Sequence, residues 1–465
     1  MMNMLKGELS NINIKADSRK IEKGDIFVAI KGKTYDGHNY INEAIKNGAS
    51  KIVCEYGKYN IDTIIVNNTR DYLNKYLTDN YYKEIENITF IGVTGTNGKT
   101  TTCYLLYQML NKLGVKSAYI GTIGFYIDDK IKELERTTPE LFELYEMFLE
   151  CKNKNVEVVV MEVSSHSLEL GRVYGIKYDY AIFTNLTEEH LAFHGNMEKY
   201  LNSKLKLFDK LKDNGYAIVN VDNEYSPDFL RTNNKNITYG YKNSDYQIEN
   251  EKLNISNTVF SFKNNKKIYT VKINFPGKYN IYNFISGIIV LNCMGYNMDS
   301  IIKITEQIKL PKGRTDIVSY KNSVIIVDYA HTPDAVLNIL NNGLEFKKNN
   351  IYTILGCGGG RDKSKRGKMG RIATELSDYV IFTNDNPRFE DEKEIMNDIV
   401  CDLKCNNYEI LYDRKEAIKK GVNLLENEDI LFILGKGHES YQIIGKEKYH
   451  FDDKEEVNKY IEGIK

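Results

Sequence analysis

The sequence lacks tryptophan and contains only six prolines, seven histidines and seven cysteines. No two cysteines form a CxxC pair, which argues against a zinc ribbon or a thioredoxin-like redox site. Cys401 and Cys405 lie four residues apart in a predicted helix, and we interpret them as ordinary thiols rather than as metal ligands. Scattered cysteines suit a reducing compartment, so we expect the cytoplasm.

The chain also lacks long apolar runs and a net charge of either sign. No apolar stretch approaches the ~20 residues that cross a bilayer, and the initial run MMNMLKGELS has no apolar core typical of a secretory signal. With 63 basic and 64 acidic residues, the formal net charge is −1. The chain therefore has no overall positive electrostatic field that would favour binding to nucleic acid or to an anionic membrane. We expect no membrane span, no nucleic-acid partner and a monomer.

The length of 465 residues predicts about three domains. Short β-type runs and one helix ending near Gly48 predict a small N-terminal α/β domain over residues 1–86. Residues 87–310 predict a central P-loop ATPase domain with a parallel sheet and an antiparallel insertion at about 237–275. Residues 311–465 alternate apolar runs with helix-sized segments, which predicts a C-terminal Rossmann-like domain. The predicted strands lie at 25–30, 51–55, 63–66, 88–93, 156–165, 178–186, 324–328, 351–355, 379–383 and 430–434.

A glycine-rich loop in TGTNGKTT follows the strand at 88–93 and precedes an apolar-periodic helix. Strand, loop and helix in this order are the context of a phosphate-binding loop. Lys99 can reach the β- and γ-phosphates, and the Thr100 hydroxyl can bind Mg²⁺. The strict P-loop spacing is not met, because Val93 stands where the first glycine would be. We predict nucleotide binding by Gly95, Thr96, Asn97, Gly98, Lys99, Thr100 and Thr101, against the alternative of a chance GKTT.

Two further side chains are candidates for this metal. Glu162 ends an apolar strand, where open α/β sheets place ligand-binding groups. A carboxylate at such a position is unusual as a packing residue. His190 follows TNLTEE at the end of the next predicted strand, and the alternative for it is a capping or packing histidine.

Seven short segments occur along the chain in the following order: TGTNGKTT, MEVSSH, TNL with EEHLAFHG, DYAHTPDA, GCGGGRD, DNPR and GKGHE. Together they resemble the Mur ligases, and within that family the subfamily that adds the third amino acid to UDP-N-acetylmuramoyl-L-Ala-D-Glu. The resemblance extends from Asp17 to Glu439. It implies an N-terminal domain for the UDP end, a central ATPase domain and a C-terminal domain for the incoming amino acid.

The resemblance also implies roles for single residues. Asn283, Arg314 and Asp328 would surround the adenine and ribose of ATP. Glu162 and His190 would bind a second Mg²⁺, together with a CO₂-derived carbamate on Lys204 (N6-carboxylysine). The alternative for Lys204 is a solvated helix lysine. The residues implied for the UDP-muramoyl-peptide are Ser18, Thr34, Thr137, Thr138, Ser164 and Arg172.

The implied reaction is ATP-dependent, ADP-forming amide synthesis. The γ-phosphoryl group moves to the D-Glu carboxylate, and the amine of the incoming amino acid attacks the acyl phosphate. Phosphoryl transfer needs mainly positioning and charge neutralisation, which Lys99, Mg²⁺ and Arg314 would supply. Two departures from the family pattern, Arg136 and Ala192, leave local substrate contacts open.

The incoming amino acid is indicated by Asp385, Asn386, Pro387 and Arg388. In the family, arginine at the last position accompanies meso-diaminopimelate, whereas asparagine typically accompanies lysine. Diaminopimelate carries a distal carboxylate that an arginine fork binds with two hydrogen bonds. Arg361 would hold its other carboxylate, and Gly435 and Glu439 its distal ammonium. The alternative is a β-turn with a solvated arginine.

Three other functions compete with this prediction. The same ligase could add L-lysine or another diamino acid, and a folylpolyglutamate-synthase-like ligase shares the ATP loop and metal residues. The DNPR and GKGHE segments argue against the latter. A non-catalytic P-loop binding module or regulatory ATPase would release phosphate without a muramoyl-peptide and an amino acid.

Overall fold

The computed structural model describes residues 12–32, 36–231 and 234–464. The strands are β1 (Ile14–Lys15), β2 (Ile26–Val28), β3 (Lys51–Cys54), β4 (Asp62–Ile65), β5 (Thr89–Thr94), β6 (Ser117–Gly121), β7 (Gly124–Ile127), β8 (Asp129–Lys132), β9 (Val158–Glu162), β10 (Tyr178–Phe183), β11 (Leu211–Asn220), β12 (Lys235–Gly240), β13 (Tyr246–Leu253), β14 (Thr258–Asn264), β15 (Lys267–Ile273), β16 (Asp316–Tyr320), β17 (Ser323–Asp328), β18 (Ile351–Leu355), β19 (Tyr379–Phe382), β20 (Tyr408–Ile410), β21 (Ile430–Leu434), β22 (Tyr441–Ile444) and β23 (Glu447–His450).

The helices connect these strands, with short 3-10 turns at Ser18–Lys20, Gly37–Tyr40 and Thr305–Gln307. The α-helices are α1 (Ile41–Lys46), α2 (Thr69–Ile85), α3 (Lys99–Lys112), α4 (Leu141–Asn153), α5 (Ser165–Glu169), α6 (Leu191–His194), α7 (Met197–Phe208), α8 (Ser226–Phe229), α9 (Lys278–Cys293), α10 (Met298–Ile304), α11 (Pro333–Phe346), α12 (Ser364–Leu376), α13 (Glu392–Val400), α14 (Arg414–Asn423) and α15 (Asp453–Ile464).

The chain divides into two compact units. Unit 1 comprises Met1–Gly92, Val115–Ala181 and Lys206–Gly215, and unit 2 comprises Val93–Gly114, Ile182–Leu205 and Tyr216–Lys465. No helix in the described part of the chain is both long and apolar enough to cross a membrane.

Unit 1 begins with a parallel sheet in the order β1-β2-β3-β4. Phe27 and Ile52 of this sheet pack with Ile41 and Ala44 of α1, which confirms the predicted strands and helix. Further along the chain, β9 pairs with β6 in parallel, and β6-β7-β8 form an antiparallel meander. All five residues of β9 are buried, so Glu162 ends an apolar strand as predicted.

Unit 2 contains the glycine loop and the helix that follows it. Helix α3 buries Leu105, Leu106, Met109 and Leu110, as the apolar period predicts. Helix α9 lies close to α3 at Gly287, where a Cβ would stand 3.1 Å from the Met109 sulfur. The predicted antiparallel segment is confirmed for β13-β14-β15, but β12 pairs in parallel with both β11 and β13.

The C-terminal part of unit 2 is a six-stranded sheet in the order β16-β17-β21-β18-β19-β20. Five of these strands run in parallel, which confirms the prediction, and β16 pairs antiparallel with β17 at one edge. Apolar cores cover both faces of this sheet. One local prediction is wrong: α13 ends at Val400, so Cys401 only caps it and Cys405 lies beyond it.

Candidate active site

The phosphate loop requires glycine at two positions for steric reasons. A Cβ at Gly95 would stand 1.8 Å from the Thr184 hydroxyl, and a Cβ at Gly98 would stand 2.4 Å from the Asn283 amide oxygen. Gly98 also adopts a left-handed φ of 88° as the N-cap of α3. The close approach of the backbone to its neighbours therefore accounts for the residue type at both positions.

Residues just after β10 hold the loop in place. The Thr96 N–H donates to the Asn185 carbonyl at 2.8 Å, and the Asn97 N–H donates to the Asn185 side chain at 2.9 Å. The Thr184 hydroxyl donates to the Asn97 carbonyl at 2.7 Å. Lys99 Nζ lies 2.8 Å from the Gly95 and Thr96 carbonyls, which keeps its charge at the loop, where a phosphate chain would bind.

A cavity of about 520 Å³ opens beside this loop, entirely within unit 2. This volume lies in the range of small-molecule pockets. The cavity brings together six predicted nucleotide residues with amides and acids of α9 and α11. The predicted residues are Asn97, Gly98, Thr101, Asn283, Arg314 and Asp328. Asp334 also lines it and accepts a hydrogen bond from the Asn97 side chain at 2.7 Å, a role that the sequence did not reveal.

Arg314 is held over the start of α3 by a strained turn. Its Nη2 lies 3.3 Å from the Thr100 hydroxyl, and its guanidinium stacks 4.7 Å from the centre of the Tyr329 ring. The next residue, Thr315, has a φ of 50°, which is costly for a β-branched residue. Asp328 accepts the Thr315 N–H at 2.6 Å. Burial raises the pKa of the Asp328 carboxyl, and nearby Arg314 opposes that rise.

Lys204 lies on α7 with its side chain buried. Its Nζ is 4.3 Å from the centre of the Tyr200 ring, and the Tyr200 hydroxyl lies 3.2 Å from the Thr96 hydroxyl of the phosphate loop. Burial, with the positive charge of Lys99 nearby, holds the pKa of the Lys204 amine well below its ordinary value. A neutral amine is the form that reacts with CO₂, so the environment fits the implied carbamate. This burial excludes a solvated helix lysine.

The other candidate metal ligands lie in different surroundings. His190 has a φ of 58°, and its Nε2 stands 3.5 Å from Glu189. Glu162, in unit 1, is buried and accepts hydrogen bonds from the Tyr119 hydroxyl at 2.6 Å and the Thr122 N–H at 2.8 Å. Within the described ranges, no cluster of three or more His, Cys, Asp or Glu side chains could hold a metal ion.

The predicted amino-acid residues converge at the carboxyl ends of β18, β19 and β21. A Cβ at Gly358 would stand 3.0 Å from Arg388 Nη1, 3.7 Å from Arg361 Cγ and 3.8 Å from Asp385 Oδ1. A Cβ at Gly435 would stand 2.9 Å from the other Asp385 oxygen. Four residues that the sequence analysis assigns to the incoming amino acid therefore lie close together: Arg361, Asp385, Arg388 and Gly435.

Both charges of a zwitterionic ligand have counterparts in this cluster. Arg388 Nη1 donates to the Gly359 carbonyl at 2.8 Å, and among the described residues no carboxylate pairs with Arg388 or Arg361. On the acidic side, Glu439 accepts from the Asn386 side chain at 2.7 Å. Burial, and then the charge of Asp385, raise the pKa of Glu439. The buried Lys436, whose amine donates to the side-chain amide oxygen of Asn386 at 3.2 Å, was not predicted as part of this cluster.

The residues implied for the UDP-muramoyl-peptide belong to unit 1. Thr138 donates from its hydroxyl to the Glu162 carbonyl at 2.9 Å, and its hydroxyl lies 3.3 Å from that of Ser164. The Thr137 hydroxyl accepts from Thr122 at 3.0 Å, and Arg172 Nη1 donates to the Thr138 carbonyl at 3.4 Å. These four residues therefore form one group.

The N-terminal residues implied for the uridine end are less completely described. Ser18 is buried and donates from its hydroxyl to Glu43 at 2.9 Å. Thr34 lies outside the described residues. Of the two departures from the family pattern, Arg136 is 3.5 Å from Glu140, and Ala192 is exposed on α6.

Comparison with known proteins assigns the family. Residues 12–93 match the Mur ligase family catalytic domain, residues 93–291 the Mur ligase middle domain, and residues 313–437 the Mur ligase glutamate ligase domain. This chain belongs to the Mur ligase family. It has the three-domain α/β fold of that family, as the sequence predicts.

Named relatives match over nearly the whole chain. A UDP-N-acetylmuramoyl-L-alanyl-D-glutamate–2,6-diaminopimelate ligase of Clostridium perfringens is 42% identical, covering 97% of this chain and 95% of that protein. One of the same description from Fusobacterium nucleatum is also 42% identical, with 96% and 93% covered. A solved structure with that description has a TM-score of 0.67 at 28% identity and covers 97% of this chain and 95% of its own. A Thermotoga maritima MurF ligase in complex with ADP shares the fold, with a TM-score of 0.67 at 22% identity and 98% of each chain covered.

Proposed function

We propose that this protein is an ATP-dependent, ADP-forming ligase that adds meso-diaminopimelate to the D-Glu residue of UDP-N-acetylmuramoyl-L-Ala-D-Glu, a step of peptidoglycan precursor synthesis. The observation that carries the proposal is the cluster around Gly358. There, the Arg388 guanidinium and the Arg361 side chain lie near the carboxylate of Asp385, and neither arginine pairs with a carboxylate in the described part of the chain. A ligand with two carboxylates and a distal ammonium complements these charges. The names of the relatives at 42% identity support the same substrate.

The ATP residues would perform the first step by position and charge. In our proposal the phosphate loop holds the triphosphate, and Lys99 and Arg314 neutralise charge on the γ-phosphoryl group as it moves to the D-Glu carboxylate. Asn283 and Asp328 would hold the adenine and ribose in the cavity beside α9. Loss of ADP then leaves an acyl phosphate for the amine of the incoming amino acid.

We further propose two Mg²⁺ sites, with Thr100 at one and Glu162, His190 and a carbamylated Lys204 at the other. When bound, Mg²⁺ would neutralise phosphate charge during transfer. The burial of Lys204, which lowers the pKa of its amine, supports the carbamate. In unit 1, Ser18, Thr34, Thr137, Thr138, Ser164 and Arg172 would hold the UDP-muramoyl-peptide. We also propose that the chain has functional domains at 1–86, 87–310 and 311–465 and acts as a monomer. The scattered cysteines, without a CxxC pair, suit the cytoplasm.

The test is phosphate release by the purified protein with ATP and UDP-N-acetylmuramoyl-L-Ala-D-Glu, to which diaminopimelate, lysine or ornithine is added singly. We expect release only when both the muramoyl-peptide and diaminopimelate are present. Release with lysine alone would assign the protein to the lysine-adding type. Phosphate release from ATP with neither partner would favour a regulatory ATPase.

A further inference from the structure

Three arginines in unit 1 share a single carboxylate. Glu140 Oε2 lies 2.8 Å from Arg70 Nη1, while its Oε1 lies 2.9 Å from Arg172 Nε and 3.5 Å from Arg136 Nη1. One glutamate cannot neutralise three guanidinium groups, so the cluster keeps a local excess of positive charge. Arg70 comes from α2, and Glu140 immediately precedes α4.

The arginine cluster adjoins the group formed by Thr137, Thr138, Ser164 and Arg172, because Arg172 belongs to both. Arg172 donates to the Thr138 carbonyl at 3.4 Å, and the Thr138 hydroxyl lies 3.3 Å from that of Ser164. The Arg172 side chain is only 13% exposed. Burial lowers the pKa of its guanidinium, and the charges of Arg136 and Arg70 add to that effect while Glu140 opposes it. Such an arrangement is stabilised when a second anion arrives.

The two remaining arginines are accessible to a ligand. The side chain of Arg70 is 37% exposed and that of Arg136 is 46% exposed, whereas the side chain of Glu140, which pairs with both, is 29% exposed. A guanidinium carries a planar fork of donors that matches carboxylate and phosphate oxygens. Both carboxylate oxygens of Glu140 are already paired with these arginines. The three guanidinium groups together carry more N–H donors than Glu140 can accept, so donors remain for a ligand.

We propose that Arg70, Arg136 and Arg172 form an oxyanion-binding subsite for the nucleotide-sugar peptide, and that Glu140 is an internal anion that competes with the ligand for these arginines. This inference rests on the proposed function, because it assumes that substrate. The ligand group is a carboxylate of the peptide or the diphosphate of the nucleotide, which offer the same chemistry. Arg70 and Arg136 would thereby contribute to affinity for this substrate.

The test compares the dissociation constant of UDP-N-acetylmuramoyl-L-Ala-D-Glu, measured by titration calorimetry, for the unmodified protein and for Arg70→Gln, Arg136→Gln and Glu140→Gln. We expect each arginine variant to weaken binding by about five- to tenfold, as for loss of one charged hydrogen bond that is partly solvated. Glu140→Gln should tighten binding by about threefold, because the competing anion is gone. A purely structural cluster predicts no tightening in Glu140→Gln and unchanged binding in both arginine variants, and that result would overturn the inference.

Controls separate folding from recognition. Arg371→Gln changes an exposed arginine of α12 that belongs to none of the proposed sites, and it should leave binding unchanged. Thermal unfolding of every variant identifies loss of structure, and Arg136→Gln combined with Glu140→Gln should bind more tightly than Arg136→Gln alone. The opposite ranking of these two proteins would count against competition by Glu140.

Two further ligands identify the anion. If the arginine variants also weaken binding of UDP, the diphosphate is the bound group. If their effect disappears when the free D-Glu carboxylates are amidated, a carboxylate is bound. A protein that binds no muramoyl-peptide at all would refute the proposed function together with this inference. If the unmodified protein forms product normally and the arginine variants bind the muramoyl-peptide as tightly as it does, the inference is refuted and the proposed function is not.

Discussion

Replacing Arg388 by asparagine removes the charge that we assign to the distal carboxylate of diaminopimelate. The backbone should tolerate the change, because Arg388 has a φ of 55° and asparagine adopts the left-handed region more readily than most residues. The variant loses the guanidinium that lies beside Gly358 and its 2.8 Å bond to the Gly359 carbonyl. Loss of one partner of a desolvated charge pair costs ~2–5 kcal/mol. We therefore expect kcat/KM for diaminopimelate to fall roughly 30- to several thousand-fold.

Steady-state phosphate release at saturating ATP and muramoyl-peptide measures this effect. The KM for ATP should stay within about twofold, because Arg388 does not line the nucleotide cavity. Arg388→Lys is the matched control, since it keeps the charge but loses the planar fork, and it should recover only part of the activity. Equal kcat/KM for diaminopimelate in Arg388→Asn and the unmodified protein would refute the assignment.

Three other predictions follow from single contacts. Gly98→Ala should weaken ATP binding by at least about tenfold in calorimetry, because the new methyl meets an amide oxygen 2.4 Å away, whereas Gly114→Ala, with a similar φ of 84° and no atom within 4 Å, should bind ATP normally. Lys204→Met should lower amide formation by at least about a hundredfold and abolish the ¹³C-carbamate signal obtained with labelled bicarbonate, and a persisting signal would assign the carbamate elsewhere. The backbone N–H of His38 lowers the pKa of Asp36 to about 2, so its stabilising effect is complete above about pH 4 and is lost as the pH falls toward 2. The difference in melting temperature between the unmodified protein and Asp36→Asn should therefore shrink between pH 6 and pH 3, and a constant difference would contradict this.

The sequence predicted elements whose apolar pattern is strong and local. The parallel strands β17, β18, β19 and β21 are buried apolar runs, and all four were located correctly. Helix α2 was missed although it is 17 residues long, because its sequence is mostly polar and its buried positions are few. Tertiary contact rather than local pattern defines such an element.

The residues of the candidate site could be predicted where the functional side chains lie close together in short sequence segments. The phosphate loop and the residues around Gly358 are of this kind, and the geometry brings each group together. Contacts between distant segments left no comparable signal. The bond from Asn97 to Asp334 joins residues 237 positions apart, and the left-handed Thr315 depends on Asp328. Only the folded chain reveals such pairs.

The most direct test of the central claim is a competition experiment. The protein is incubated with ATP, UDP-N-acetylmuramoyl-L-Ala-D-Glu and equal concentrations of meso-diaminopimelate and L-lysine, and the products are identified by mass spectrometry. We predict the diaminopimelate adduct as the dominant product, formed with one ADP for each amide bond. A dominant lysine adduct, or ADP formation without any amide product, would contradict the account.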